Sequence, residues 1–366
     1  MSHLSHVWQR IQGSLFPFLR EELYPLTERQ EKLAALLEVL RVEDFVGVSV
    51  RNRVGRPTKD RQAIARAFVA KAVYNIQTTA ALVEQLRAEK NLRRIVGFEE
   101  QSNVPTESTF CRAFAEFAKT RLGCRVHEAI IAKHQSHRLV GHISRDSTAI
   151  HTRQKLKKKA KSPAKPKRKR GRPKKGESVE STAPKASSLL VQQQHMSLQQ
   201  MLDALPTAAT YGCKRNSSGH NVPWGGYKLH IDTADGDIPI SCILTSASVH
   251  DSQVALPLLL MTKKRVENLY DLMDSAYDCS AIRAASVELG HVPIIEHNGR
   301  GAEKKRMDPA THRRYAERSS SERVNSRLKE EFGGRTLRVR GPDKTMAHLM
   351  FGIVVLTADQ LLRHLV

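Results

Sequence analysis

The sequence predicts a mixed α/β sheet with flanking helices, preceded by an all-helical region. Three observations carry this. Before about residue 137, apolar residues recur at intervals of three and four, the spacing of amphipathic helices. After it, runs alternating with period two are interleaved with helical segments, which describes a sheet covered by helices. Between the two kinds of pattern, residues 151–176 hold fourteen Lys and Arg and no acid.

The helical region divides in two. Residues 1–54 carry VWQRIQGSLFPFLREEL and LTERQEKLAALLEVLRV. Residues 55–136 carry RQAIARAFVAKAVYNI, TTAALVEQLRAEKNLRRIVGF and ESTFCRAFAEFAKTRL, three amphipathic segments with short polar connections. The third follows Pro105-Thr106, a helix-start signal, and places Phe110, Phe114 and Phe117 on one face and Thr109 and Arg112 on the other. Two readings fit: a helix-turn-helix module whose last helix enters a major groove, or an ordinary small helical domain.

From residue 137 to 366 the α/β pattern takes over. HISRDSTAI (142–150) reads as a strand and runs into the basic segment, which has too few apolar residues to pack a core and is expected to form a disordered loop over about 153–205. GYKLHIDTA (226–234) and IPISCILTSAS (238–248) form a hairpin around Asp235-Gly236. The acid spacing there resembles a calcium loop but lacks the closing glutamate. Asp251 is placed to cap the helix SQVALPLLLMTKK. ENLYDLMDS (267–275) is a strand, CSAIRAASVELG (279–290) a helix, HVPIIEH (291–297) a strand, and a helix spanning Tyr315–Lys329 closes the set. Trp224 reads as core.

Charge narrows the partners. The chain of 366 residues has 60 Lys+Arg against 37 Asp+Glu, a formal charge of +23. The basic segment supplies +14 of that, leaving +9 elsewhere. An excess of this size is tolerated when the partner is a polyanion, nucleic acid first. A membrane partner is disfavoured, since the apolar runs ALPLLLM (255–261) and FGIVVL (351–356) are far shorter than the roughly 20 residues a span requires. The N-terminus lacks the pattern of a signal peptide. Five scattered cysteines without a C-x-x-C read as reduced structural thiols of a cytosolic protein.

Three carboxylates stand where chemistry would gather. Asp146 in SRDST and Asp274 in LMDSAYD lie on strands at the edge where catalytic groups of an open sheet collect. Glu322 lies in YAERSSSERVNSRLK. At roughly 100° per residue, Tyr315, Arg318 and Lys329 project within about 40° of Glu322, while Val324, Leu328 and Phe332 form the opposite stripe. Taken alone, the polar stripe is equally a solvated face with ion pairs. If the three carboxylates converge, their repulsion calls for divalent metal, and hard oxygen ligands favour Mg²⁺ or Mn²⁺. Asp271, opposite in alternation to Asp274, and Asp278, before the next helix, are weaker alternatives, as are His250 and Asp251.

These motifs resemble those of the DDE transposases of bacterial insertion sequences, in the RNase H-like integrase superfamily. Tyr315, Arg318, Glu322 and Lys329 fill every fixed place of the signature Y-x2-R-x3-E-x6-K, and Asp146 in RDST and Asp274 in DSAYD match the two aspartate motifs. The resemblance covers roughly residues 55–366. It implies an RNase H-like catalytic domain in which Asp146, Asp274 and Glu322 are catalytic and bind Mg²⁺ or Mn²⁺. It implies strand cleavage at the terminal inverted repeats of double-stranded DNA and 3′-OH attack on target DNA. Tyr315, Arg318 and Lys329 would grip DNA beside the cleaved bond, in a homodimeric synaptic complex in the bacterial cytoplasm, associated with the nucleoid. The sequence departs from some relatives in spacing. Only 48 residues separate Asp274 from Glu322, too few for a β-rich insertion there.

Within the basic segment, Arg170-Gly171-Arg172-Pro173 resembles an AT-hook core. The arginines suit the potential of a narrow minor groove, Gly171 permits close approach and Pro173 keeps the chain extended. A generic polybasic loop is the other reading. VGRPTKD (54–60) shares the tripeptide but leads into a helix. The rival to an enzyme is a catalytically silent or domesticated DNA-binding protein that uses the helix-turn-helix and hook-like segments alone.

Overall fold

The computed structural model describes residues 25–47, 59–156, 189–215, 218–299 and 306–364. The hook-like segment Arg170–Pro173 lies outside them, as do residues 1–24. The helical block starts with α1 (Glu28–Leu40), fixed by a capping box between Thr27 and Gln30. Asp60 caps α2 (Arg61–Val73) through the Gln62 and Ala63 amides, and Thr78 caps α3 (Thr79–Ala88). The single segment expected over 79–98 is broken at Glu89, whose backbone is extended, so α4 (Lys90–Ile95) is separate. α5 (Glu107–Lys119) buries Phe110, Phe114 and Phe117 as its spacing predicts, and α6 (Leu122–His134) follows.

The sheet begins with β1 (Leu139–His151). Two short helices, α7 (Leu189–Gln193) and α8 (Leu198–Ala204), occupy residues where composition predicts a loop. Burial overrides composition here: Leu190 and Met201 pack against Ala255 and Leu256, and Ser197 supplies a capping box. Then come β2 (Thr210–Arg215), β3 (Asn221–Ala234), β4 (Ile238–Ser246), α9 (Ser252–Lys263), β5 (Glu267–Met273), α10 (Ser280–Glu288) and β6 (Val292–Ile295). The sheet has six strands in the order β2-β3-β1-β5-β6, with β4 also on β3. β1, β5 and β6 run parallel; β3 is antiparallel to β1 and β4. This is the RNase H-like arrangement. The hairpin turn forms as expected, with Gly236 at φ +79° and Asp237 at +59°.

The helix expected over Tyr315–Lys329 is two helices, α11 (Pro309–Ala316) and α12 (Ser319–Glu330). Around Arg318 the backbone closes four i→i+3 bonds, and the Ser321 hydroxyl bonds the Arg318 carbonyl, as does the Ser144 hydroxyl of β1. The run Ser319-Ser320-Ser321 provides side chains that compete with backbone bonding, so the helix changes direction there. Tyr315 therefore belongs to a different helix from Glu322 and Lys329.

The chain closes with α13 (Pro342–His364), 23 residues long. It is long and apolar enough to cross a membrane, contrary to the short-run reading, but most of its apolar stretch is buried inside the protein. α13 packs against α1, α2, α5, α6, α12 and β4. A single core thus runs from Leu33 and Phe68 through Ile231 to Leu356, uniting the helical block with the sheet.

Candidate active site

β1 and β5 bring the two aspartates together. Their parallel register ends at Arg145↔Met273, so Asp146 and Asp274 each stand one residue beyond the last paired position. Asp274 ends its strand by capping a short turn, accepting from the Ala276 amide at 2.9 Å. Above them lies α12, whose Val324 and Leu328 are buried against the core. From α12, Asn325 Nδ2 donates to Asp146 Oδ2 at 3.1 Å.

Electrostatics binds the group together. Burial pushes the Asp146 carboxyl up to about 6, with Asp274 and Asp251 adding to the rise and Arg318 opposing it. Burial likewise raises Asp274, with further upward pressure from Asp251 and Glu296. The two carboxylates are thus desolvated and mutually repelling. Burial works against the Arg318 charge, yet Tyr315, Asp146, Glu322 and Asp274 together hold its guanidinium above the ordinary value. Arg318 is the shared counter-ion of the site. Its guanidinium lies 5.8 Å from the Tyr315 ring centroid, and burial lifts the Tyr315 phenol to about 12. Lys329 is lowered by burial and by repulsion from Lys214 and Arg335, while Asp146 pulls it back.

Glu322 sits differently. Arg318 donates to its carboxylate at 2.6 Å, and its side chain is 58% exposed. Among the described residues no group of three or more His, Cys, Asp or Glu is arranged to hold a metal ion. The donor chemistry nonetheless fits a divalent cation. Asp146 and Asp274 offer hard oxygens short of positive charge, and the Arg318 guanidinium that pairs with Glu322 also feels both aspartates.

Beneath the site a buried scaffold fixes β1. Arg145 makes two bonds to Asp232 at 2.8 and 2.7 Å, and Thr262 donates to the same carboxylate at 2.7 Å. Asp271 pairs with His291 at 3.0 Å, on the opposite face from Asp274 as alternation predicts. Asp278 holds Arg283 and the Asn298 amide. Asp251 makes no side-chain cap to α9, contrary to expectation. It instead accepts from Lys228 at 2.9 Å and lies 3.7 Å from His230, whose rung on β3 pairs with Ser147. Those partners and the cost of burial compete, and the partners win, holding Asp251 below the usual carboxylate range. Its permanent charge reaches Asp146 and Asp274. Asn325 escaped sequence reasoning, although it follows Glu322 by three residues and so shares its side of the helix. Trp224 is core, 8% exposed. Arg112 lies exposed on α5, bonded to Thr109 at 3.3 Å, outside the carboxylate group.

Comparison with known families decides the relationship. A model described as transposase DDE domain matches residues 193–358, and one described as transposase domain (DUF772) matches residues 19–116. The chain belongs to the DDE transposases of insertion sequences. No curated protein and no solved structure matches it. The DDE match contains Asp274 and Glu322; Asp146 falls between the two matched stretches, and its place in this transposase rests on its meeting with Asp274 across β1 and β5.

Proposed function

We propose that the transposase binds the ends of its element and catalyses metal-dependent strand cleavage, followed by 3′-OH transfer into target DNA. The observation that carries this reading is the convergence of Asp146 and Asp274 where the β1–β5 pairing ends, under α12 and facing one guanidinium. Asp146, Asp274 and Glu322 would hold Mg²⁺ or Mn²⁺. When bound, the metal supplies activation of the attacking hydroxyl and stabilisation of the leaving oxygen. Asn325 fixes the Asp146 carboxylate, and Arg145 with Asp232 fixes the strand that carries it. Arg318 compensates the carboxylates until metal does so, and then holds a substrate phosphate, a role suited to its planar fork. Tyr315 and Lys329 line the same approach. The helical block, with Arg112 on the free face of α5, and the Arg170–Pro173 segment would hold DNA further out. The active assembly is a homodimer on paired double-stranded ends.

The test is single-turnover cleavage of duplexes carrying the element's terminal repeats, with Mg²⁺ or Mn²⁺. Wild type should nick them. Asp274→Ala should bind the same duplexes and leave them intact. Binding without metal-dependent nicking by the wild type would support the silent DNA-binding protein instead.

A further inference from the structure

Away from the carboxylates, the connection from α12 to α13 forms one wall of a cleft of about 560 Å³ between the helical block and α13. Its floor is aromatic, with the Phe68 and Phe351 rings 5.6 Å apart. Its walls carry Lys71, Arg338, Arg340 and Lys344, against Glu107 as the one acid. A second groove of about 510 Å³ shares Arg340 and adds Arg153 and Lys155 with no acid at all. None of these six cations makes an ion pair with another described residue. Arg338, Arg340, Lys344, Arg153 and Lys155 are exposed. Lys71 is buried, its ammonium donating to the Gln77 carbonyl at 3.3 Å with no carboxylate to balance it.

The walls are fixed rather than floppy. Asn75 of the helical block donates to the Glu330 carbonyl at 2.7 Å, and His348 meets the Gly333 carbonyl at 2.9 Å. Gln154, just past β1, accepts from the Gly341 amide at 3.1 Å. Exposed cations clustered along one groove repel one another, and an extended anion laid against them relieves that repulsion. The groove also leads to the site. Arg153 of the second groove follows Asp146 by seven residues, the last two beyond the end of β1, which is at most about 23 Å at about 3.3 Å per residue. With the phosphates of one strand advancing about 3.4 Å per base pair along the duplex axis, that reach is no more than about seven base pairs.

Resting on the reading above, we propose that this cleft and the groove beside it hold the sugar–phosphate backbone of one DNA strand, with the Arg153 end of the groove within about seven base pairs of the bond that Asp146 and Asp274 cleave. The contact is to phosphate, so it carries no base preference. It makes the junction of the helical block with the α12–α13 connection a DNA-binding surface in its own right, distinct from Arg112 on the outer face of α5 and from the signature residues.

The test compares wild type with the triple variant Arg338→Ala, Arg340→Ala, Lys344→Ala, and with Arg338→Lys, Arg340→Lys as a charge-preserving control. The probes are an end duplex and an unrelated duplex of equal length. The alanine variant should bind both more weakly by tenfold or more, and its slope of log affinity against log salt should flatten by about two to three. Ethylation interference should disappear at the phosphates that the cleft covers and leave those beside the cleaved bond unchanged. The lysine control should retain the wild-type slope. All three side chains are exposed, so an unchanged melting temperature should confirm the fold. Wild-type binding with the same slope and interference pattern in the alanine variant would overturn the cleft alone. A wild type that binds no DNA would overturn both this and the function it rests on.

Discussion

A carboxyl that burial has pushed toward neutrality loses folded-state stability when it ionises, and Asp146 is in that position. Its folded value is about 6 against an ordinary 3.8, so between those pH values the folded chain binds the extra proton. Metal-free stability therefore falls as pH rises from about 4 to about 6. Asp146→Asn should raise the metal-free melting temperature at pH 7.5, worth about 1–2 kcal/mol after allowing for the solvent the side chain still meets, and change nothing at pH 4. A thermal melt at both values checks it. Arg318 answers a second question, whether a point charge suffices. Arg318→Lys keeps the cation but loses the fork, and should slow single-turnover cleavage by about ten- to a hundredfold, well beyond the effect of an exposed ion pair. Added Mg²⁺ should not restore the rate, because Asp146 and Asp274 are untouched. The pairing of Asp146 with Asp274 was legible in the sequence because both sit in strand patterns followed by small polar residues. Asp251 was legible as a helix-capping aspartate or a weaker site candidate, but its link to Lys228 and His230 depends on tertiary placement.

Elements with a clean period were legible. The alternation in HISRDSTAI and the Asp235-Gly236 turn give β1 and the β3–β4 hairpin, and the Phe110, Phe114 and Phe117 spacing gives α5. Elements whose pattern is set by partners were not. α13 is buried along most of its length and lacks the amphipathic stripe that announces a surface helix. α7 and α8 are Gln-rich, and only their packing on α9 makes them helices. The break between α11 and α12 comes from serine hydroxyls and a bond from Ser144, neither visible as periodicity. One backbone position controls the pairing of β1 with β3. Gly226 has φ +151° and sits opposite His151, where an added Cβ would meet the Ile150 carbonyl oxygen. Gly226→Ala should cost about 2–4 kcal/mol by chemical denaturation, because backbone rather than a flexible side chain must move.

At the scale of the whole molecule, one large core joins the helical block to the sheet, and two smaller clusters pack around α9. The helical block cannot be separated from the sheet without exposing α13, and it is also tied polar group to polar group. His127 of α6, 1% exposed, meets the Pro239 carbonyl of β4 at 3.0 Å. Burial, with help from Arg265, lowers His127 to about 3. The neutral ring must donate to that carbonyl, so the unfolded chain binds the extra proton below its ordinary value of 6.5. Stability is therefore complete above about 6.5 and is lost as pH falls toward 3. His127→Gln, which can keep a donor there without titrating, should flatten that acid limb in denaturation curves taken from pH 7 to pH 4. Buried His230, lowered to about 4, should keep part of the slope in that variant.

The account stands on Asp146 and Asp274 forming one metal-dependent centre with Glu322. The most direct measurement is Mn²⁺ binding by electron paramagnetic resonance to the transposase assembled on end DNA. Wild type and Arg318→Lys should show protein-bound Mn²⁺, while Asp146→Asn and Asp274→Asn should each weaken its binding by tenfold or more. Undiminished Mn²⁺ binding in Asp274→Asn would contradict a shared centre and return the two aspartates to an acidic pair balanced by Arg318 alone.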